Sequence, residues 1–193
     1  MNSKDAIKQF FNERAQNWEE LCFHDSKKLN EILNICAIKK GEKILDVGCG
    51  TGVFTKKLVE TQADCIVGID LSDKMIEVAK SNVIDNRVSF VTEDFDEFYS
   101  DQYDCIIIYS AYPHFLDKNK FAEKINELLK AGGRFIIAHS QSKEKINSCH
   151  NKKASHISNK LKQPQDEFEY FKKWFEPKLF IDNEEMYIIL GEK

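Results

Sequence analysis

The segment Lys43-Ile-Leu-Asp-Val-Gly-Cys-Gly-Thr-Gly52 joins an apolar run containing Asp46 to three alternating glycines, Gly48, Gly50 and Gly52. Lacking a Cβ, these residues can take positive φ and bring backbone N–H groups within contact of a ligand that a side chain would push away. A helix starting near Val53 would aim its positive end at the same spot. The chemistry this suits is the holding of a nucleotide-like ligand by backbone. Two more apolar runs end in carboxylates, Cys65-Ile-Val-Gly-Ile-Asp70 and Arg87-Val-Ser-Phe-Val-Thr-Glu-Asp94, and Asp70 follows Gly48 by 22 residues. For proton transfer the candidates are His114, in Tyr109-Ser110-Ala111-Tyr112-Pro113-His114-Phe115, then His139 and His150, since imidazole titrates near neutrality.

A carboxylate followed by G-x-G-x-G resembles the glycine-rich motif of class I S-adenosylmethionine-dependent methyltransferases. A dinucleotide fold would carry G-x-G-x-x-G, and Val53 stands where its third glycine belongs. The likeness covers roughly residues 40 to 138. It implies S-adenosyl-L-methionine as cofactor, with Asp46, Gly48, Gly50 and Gly52 at the turn, Asp70 on the ribose hydroxyls and Asp94 on the adenine amino group. Cys49, a small residue that fits the turn, and Leu71, Met75, Phe95 and Tyr109 complete the implied cofactor-facing set. Plainer readings stand beside these. Asp70 with Ser72 and Asp73 also suits a helix start, and Asp94-Phe-Asp-Glu suits an acidic first turn.

The family's nucleic-acid amino methyltransferases have Asp/Asn-Pro-Pro-aromatic after the fourth strand, and Tyr109 to Phe115 lacks it. A small-molecule acceptor is therefore expected. His114 would remove the acceptor's proton or orient it, with His139 and His150 next in line; a histidine merely sitting in a turn is the alternative. Asn147 and His150 could share one helix face. Metal ligands are sparse: Asp117 is the acid available after the fourth strand, and Cys149, His150 and His156 lack a recognisable spacing. Six lysines lie between Lys143 and Lys162 against Glu144 alone. They read either as a solvated loop or as a mobile cationic lid, over 141–165, for an anionic acceptor. Phe11 and Trp18 are candidates for a second, N-terminal lid. Two other classes stay open: a nicotinamide-dependent oxidoreductase on a related fold, and a non-catalytic S-adenosylmethionine-binding protein.

Positioning these groups requires a regular alternation of strands and helices. Two N-terminal helices are predicted over 4–20 and 26–37. Strands at 43–48, 65–70, 88–92, 103–109 and 133–138 then alternate with helices at 53–61, 73–82, 94–98 and 117–130, Gly132-Gly133 ending the last of these. A helix at 165–174 and strands from Lys178 and Met186 close the chain. Continuously apolar strands such as Cys105-Ile-Ile-Ile-Tyr109 belong in a parallel sheet covered on both faces. The alternation predicts an α/β fold with a doubly wound, Rossmann-like, mostly parallel sheet, and the family resemblance implies that the last two strands bring it to seven with an antiparallel C-terminal edge. A length of 193 residues with 42% hydrophobic residues suits one domain, divided into a helical lid (1–40), a cofactor core (41–140), the segment 141–165 and a closing unit (166–193). A net charge of −4 argues against a nucleic-acid surface. No apolar run reaches membrane-spanning length and the N-terminus lacks a signal-like stretch, so a cytoplasmic location is expected. Its six cysteines, without C-x-x-C, read as reduced.

Overall fold

The computed structural model describes residues 3–155 and 157–193, without the side chains of 151–153. His156 lies outside the described residues. In chain order the elements are α1 (Ser3–Asn12), α2 (Trp18–Leu21), α3 (Ser26–Cys36), β1 (Lys43–Val47), α4 (Val53–Leu58), β2 (Cys65–Asp70), α5 (Asp73–Asn82), β3 (Val88–Thr92), β4 (Tyr103–Tyr109), α6 (Lys118–Leu128), β5 (Leu129–His139), α7 (Lys143–Lys153), α8 (Pro164–Phe168), β6 (Glu176–Asp182) and β7 (Tyr187–Glu192).

Seven strands form one sheet in the order β3-β2-β1-β4-β5-β7-β6. β1 to β5 run parallel, and β7 joins β5 antiparallel, with β6 as its antiparallel partner. Side chains of a strand point alternately to opposite faces, and the two cores obey this period. Leu45, Val47, Ile106, Ile108, Phe135 and Ile137 pack on one face with Phe121 and Ile125 of α6. Ile44, Ile66, Ile107 and Ile136 pack on the other with Leu29 and Ile32 of α3 and Phe54 and Leu58 of α4. Phe168, Phe171 and Phe175 gather around Phe135, their ring centroids 4.6–6.3 Å away.

Several boundaries differ from the sequence expectation. The predicted helix 4–20 is broken, because Arg14 Nη1 donates to the Phe10 carbonyl (2.8 Å) and its backbone N–H turns to Phe11 (3.1 Å); a short 3₁₀ turn and α2 follow. Residues 94–98 form a turn. Gly132-Gly133 does not end the α6 helix, which stops at Leu128; Gly132 (φ +74°) lies within β5, with its N–H bonded to the Lys193 carbonyl. The stretch read as a solvated loop or a lid holds a helix: Ser142 caps α7 by accepting from Lys145 N. The predicted helix 165–174 shortens to α8, and the chain continues in turns to Phe175.

Candidate functional site

Sheet order reverses between β1 and β4, which pair with each other and have β2 and β5 as their outer neighbours. Chain connections leave that point in opposite directions, so a crevice opens beyond the carboxyl ends of the strands. A cavity of about 570 Å³ occupies it.

One wall is the glycine turn. Gly48 N and Cys49 N donate to the Ile69 carbonyl (2.8 and 3.1 Å), fixing the turn to β2. Gly48 has φ +68°, and a Cβ on it would stand 2.5 Å from Ala111 Cβ. Gly50 (φ +54°) differs: a Cβ there would meet nothing within 4 Å. Its open side is cavity, the space a ligand would fill. Gly52 does not line the cavity; a Cβ on it would press on Val83 and Ala79, so it serves the packing of α5 against the turn.

The carboxylates behave differently from one another. Asp46 is buried, its Oδ2 accepting from Thr55 Oγ1 at 2.5 Å and its Oδ1 having no partner in the protein. Burial, reinforced by the charge of Asp70, pushes its pKa up to about 7 against the pull of the Thr55 hydroxyl. Asp70 accepts from Gly50 N (2.9 Å) and Ser72 N (2.8 Å), and burial raises its pKa as well. The cap of α5 is Ser72, whose hydroxyl accepts from Met75 N. Asp94 and Asp96 both receive Lys4 Nζ from α1, at 2.5 and 2.6 Å. Cys49, Leu71, Met75, Phe95 and Tyr109 all border the same cavity.

The opposite wall is built of imidazoles and aromatic rings. His114 Nδ1 lies 3.0 Å from the Ile157 carbonyl. A carbonyl can only accept, so Nδ1 carries the proton and Nε2 is left as the basic lone pair. The ring stands edge-on to Phe11 (5.0 Å) and 5.1 Å from that of His150. Burial lowers its pKa to about 4, and lowers His139, at the end of β5, to about 3. His150 is lowered too, by burial. The turn carrying His114 is clamped from below: Lys118 Nζ donates to the Tyr112 carbonyl (2.5 Å), Tyr112 Oη donates to the buried Glu167 (2.9 Å) and Asn159 N donates to the Pro113 carbonyl (2.8 Å). Asp117 caps α6 by accepting from Lys120 N, and among the described residues no group of three or more His, Cys, Asp or Glu is arranged to hold a metal ion.

His24 joins this wall without having been expected there. Its Nδ1 pairs with Tyr109 Oη (2.8 Å), which also pairs with Ser140 Oγ (2.8 Å). In the sequence it precedes Asp25, the cap of α3, and nothing in Cys22-Phe-His-Asp suggests a pocket. Thr51 is a second omission: its buried Oγ1 has no partner beside the glycine turn.

Two segments roof the cavity. Ile7 of α1 packs with Ala154 and Ile157 after α7, flanked by Phe10, Phe11 and Leu71. Asn12 anchors α1 to the start of α5, donating to Asp73 (3.1 Å) and accepting from Ser72 Oγ (2.5 Å). Phe11 and Trp18 line the cavity in edge contact, 5.4 Å apart. Among the described side chains, Lys143 of α7 is turned away from the cavity. The helix turns Ile146, Cys149 and His150 toward the cavity, while Lys143 is paired with Asp182 of β6 at 2.7 Å. Asn147 does not line the cavity and instead exchanges hydrogen bonds with the backbone of Leu161.

Residues 38–189 match the family model described as a methyltransferase domain. The chain belongs to that family, in the class I, S-adenosylmethionine-dependent type whose sheet order and glycine turn it carries. It is 28% identical over 168 residues to malonyl-[acyl-carrier protein] O-methyltransferase of Priestia megaterium, covering 83% of this chain and 60% of that protein. With the enzyme of the same description from Acetivibrio thermocellus it shares 31% over 137 residues, 69% of this chain and 48% of the relative. The chain thus spans about half the length of these curated relatives. The fold of magnesium protoporphyrin IX methyltransferase from Synechocystis superposes on all of both chains, with a TM-score of 0.77 at 16% identity. Family membership disfavours the oxidoreductase reading. Among the described residues no helix is long and apolar enough to cross a membrane.

Proposed function

We propose that this chain transfers a methyl group from S-adenosyl-L-methionine to a small-molecule acceptor. The observation that carries the reading is one cavity with two unlike walls, a glycine turn with carboxylates facing a group of neutral imidazoles. The first wall suits the cofactor. Asp46 Oδ1 and Thr51 Oγ1 lack partners, and a ligand bearing an ammonium group and hydroxyls supplies the missing donors. Gly50 leaves room for it. Asp70, Leu71 and Met75 would border the ribose, and Asp94 and Phe95 the adenine.

When bound, the cofactor supplies a methyl on a positively charged sulfur, a reactive donor needing in-line placement and exclusion of water more than acid–base help. The roof of Ile7, Ala154 and Ile157 excludes water, and Tyr109 and Phe11 flank the reacting region. For an acceptor arriving protonated, His114 Nε2 takes the proton as the acceptor–carbon bond forms and the sulfur–carbon bond breaks. His139 and His150 are held neutral beside it. The acceptor is a small molecule rather than a nucleic acid, given a cavity partly roofed by α1 and the segment after α7 and the net negative charge. A reducing compartment such as the cytoplasm suits the buried thiols of Cys36, Cys49 and Cys105.

Isothermal titration tests the assignment: S-adenosylmethionine and S-adenosylhomocysteine should bind and NAD should not. NAD binding without sulfonium binding would overturn it.

A further inference from the structure

Five buried side-chain atoms among the described residues find no hydrogen-bond partner in the protein: Asp46 Oδ1, Thr51 Oγ1, His24 Nε2, His139 Nε2 and His150 Nδ1. All five residues line the one cavity. Buried polar atoms are ordinarily paired, since leaving one unpaired costs about 1–3 kcal/mol. Such atoms concentrated on one surface mark where a ligand's own polar groups go. Asp46 and Thr51 belong to the cofactor side. The three imidazole nitrogens are left over, and they come from three separate segments.

We infer that His24, His139 and His150 form the acceptor-recognition site, and that the acceptor is an uncharged ring compound bearing a hydroxyl group. This rests on the methyltransferase reading and deepens it. A neutral imidazole offers one N–H donor and one lone pair. A hydroxyl both donates and accepts, and so answers whichever tautomer faces it. A carboxylate only accepts, leaving lone pairs unmet, and an ammonium only donates. Cations lining the cavity are already engaged: Lys4 by Asp94 and Asp96, Lys8 by Asp73, and Arg14 by the Phe10 ring and carbonyl. The ring is inferred from Phe11, which stands edge-on to His114, from Trp18 against Phe11, and from Tyr109, which holds His24. His24 acts as a positioning residue with the widest reach, because its Nδ1 is held by Tyr109, which Ser140 holds in turn, so that Nε2 is presented at a fixed angle.

The test uses the full chain and three probes of one shape, phenol, benzoate and toluene, titrated with and without S-adenosylhomocysteine. Phenol should bind at least tenfold more tightly than either other probe. His24→Ala and His139→Ala should each remove most of that preference while leaving S-adenosylhomocysteine affinity within twofold. Equal binding of phenol and toluene, stronger binding of benzoate, or a preference surviving both substitutions would overturn the inference. Nitrogen-15 spectra of histidine-labelled wild-type protein give a reading independent of mutant folding: phenol should shift the Nε2 signals of His24 and His139, and unmoved signals would reject the site. Failure of S-adenosylhomocysteine to bind would defeat the cofactor reading instead, and the probe titrations without it would still decide this one.

Discussion

The two walls of the cavity solve the problem of holding a small molecule by opposite means. The glycine wall uses backbone and carboxylates of consecutive strand–turn–helix units, with partners moderately near in sequence: Gly50 N donates to Asp70, 20 residues on, and Asp46 accepts from Thr55, nine residues on. The imidazole wall uses side chains from the segment before α3, from β5, from α7 and from the turn after β4, and tertiary contacts set each one's angle. A backbone wall is rigid and general, because every chain has N–H groups to offer. A side-chain wall is adjustable, which makes it the place where an acceptor is selected.

The comparison is broken most forcefully at His114. If its Nε2 removes a proton, His114→Ala should lower turnover by about 10²–10⁴-fold with S-adenosylhomocysteine affinity nearly intact; a loss below tenfold would make the residue packing for Phe11. On the other wall, Gly48→Ala meets both Ala111 and a left-handed φ. Overpacking costs about 1–3 kcal/mol, and the left-handed conformation adds roughly 1 kcal/mol. Gly50→Ala should pay only the second amount in stability and yet weaken cofactor binding, since its methyl enters ligand space. Equal effects of the two substitutions in thermal melts and titration would refute this division of roles.

Asp70→Ala should weaken cofactor binding by about 1–3 kcal/mol, measured by calorimetry; unchanged affinity would remove Asp70 from the site. Asp46 sharpens the contrast through pH. Its pKa is raised from 3.8 to about 7 on folding, so the folded state holds a proton that the unfolded state releases. Its contribution to stability is therefore greatest below pH 3.8 and declines as pH rises to about 7. The imidazoles run the other way. His114, lowered to about 4, makes stability rise with pH between that value and 6.5. The difference between wild type and Asp46→Asn isolates the first trend, and a flat difference from pH 4 to 7 would contradict it. An ammonium-bearing ligand prefers the ionised carboxylate, so cofactor affinity should rise through pH 7. The smallest effect is expected at Lys143, whose partner is Asp182: Lys143→Ala should cost about 0.2–1 kcal/mol of stability and leave acceptor affinity unmoved. A large rise in the Michaelis constant would restore the lysine-rich segment as an acceptor lid.

What the sequence determined by itself was everything governed by local period and spacing. The alternation of apolar strands and helices predicted β1 to β5 in chain order, and two late apolar runs predicted β6 and β7, whose antiparallel placement the family resemblance implied. The glycine turn with Asp46, and the strand-end position of Asp70, were readable because strand, turn and helix are consecutive and each residue's geometry is set by its immediate neighbours. Helix ends were less legible: Arg14 takes the Phe10 carbonyl, and Ser142 caps a helix whose apolar face is only Ile146 and its neighbours. Tertiary structure alone decided the acceptor wall. His24 became part of it because Tyr109, 85 residues away, holds its ring. Gly52 left the cavity because α5 packs on it, and Lys143 turned to β6 because Asp182 lies there. Such choices depend on which distant surfaces meet in the folded chain, and residue order does not encode them at short range.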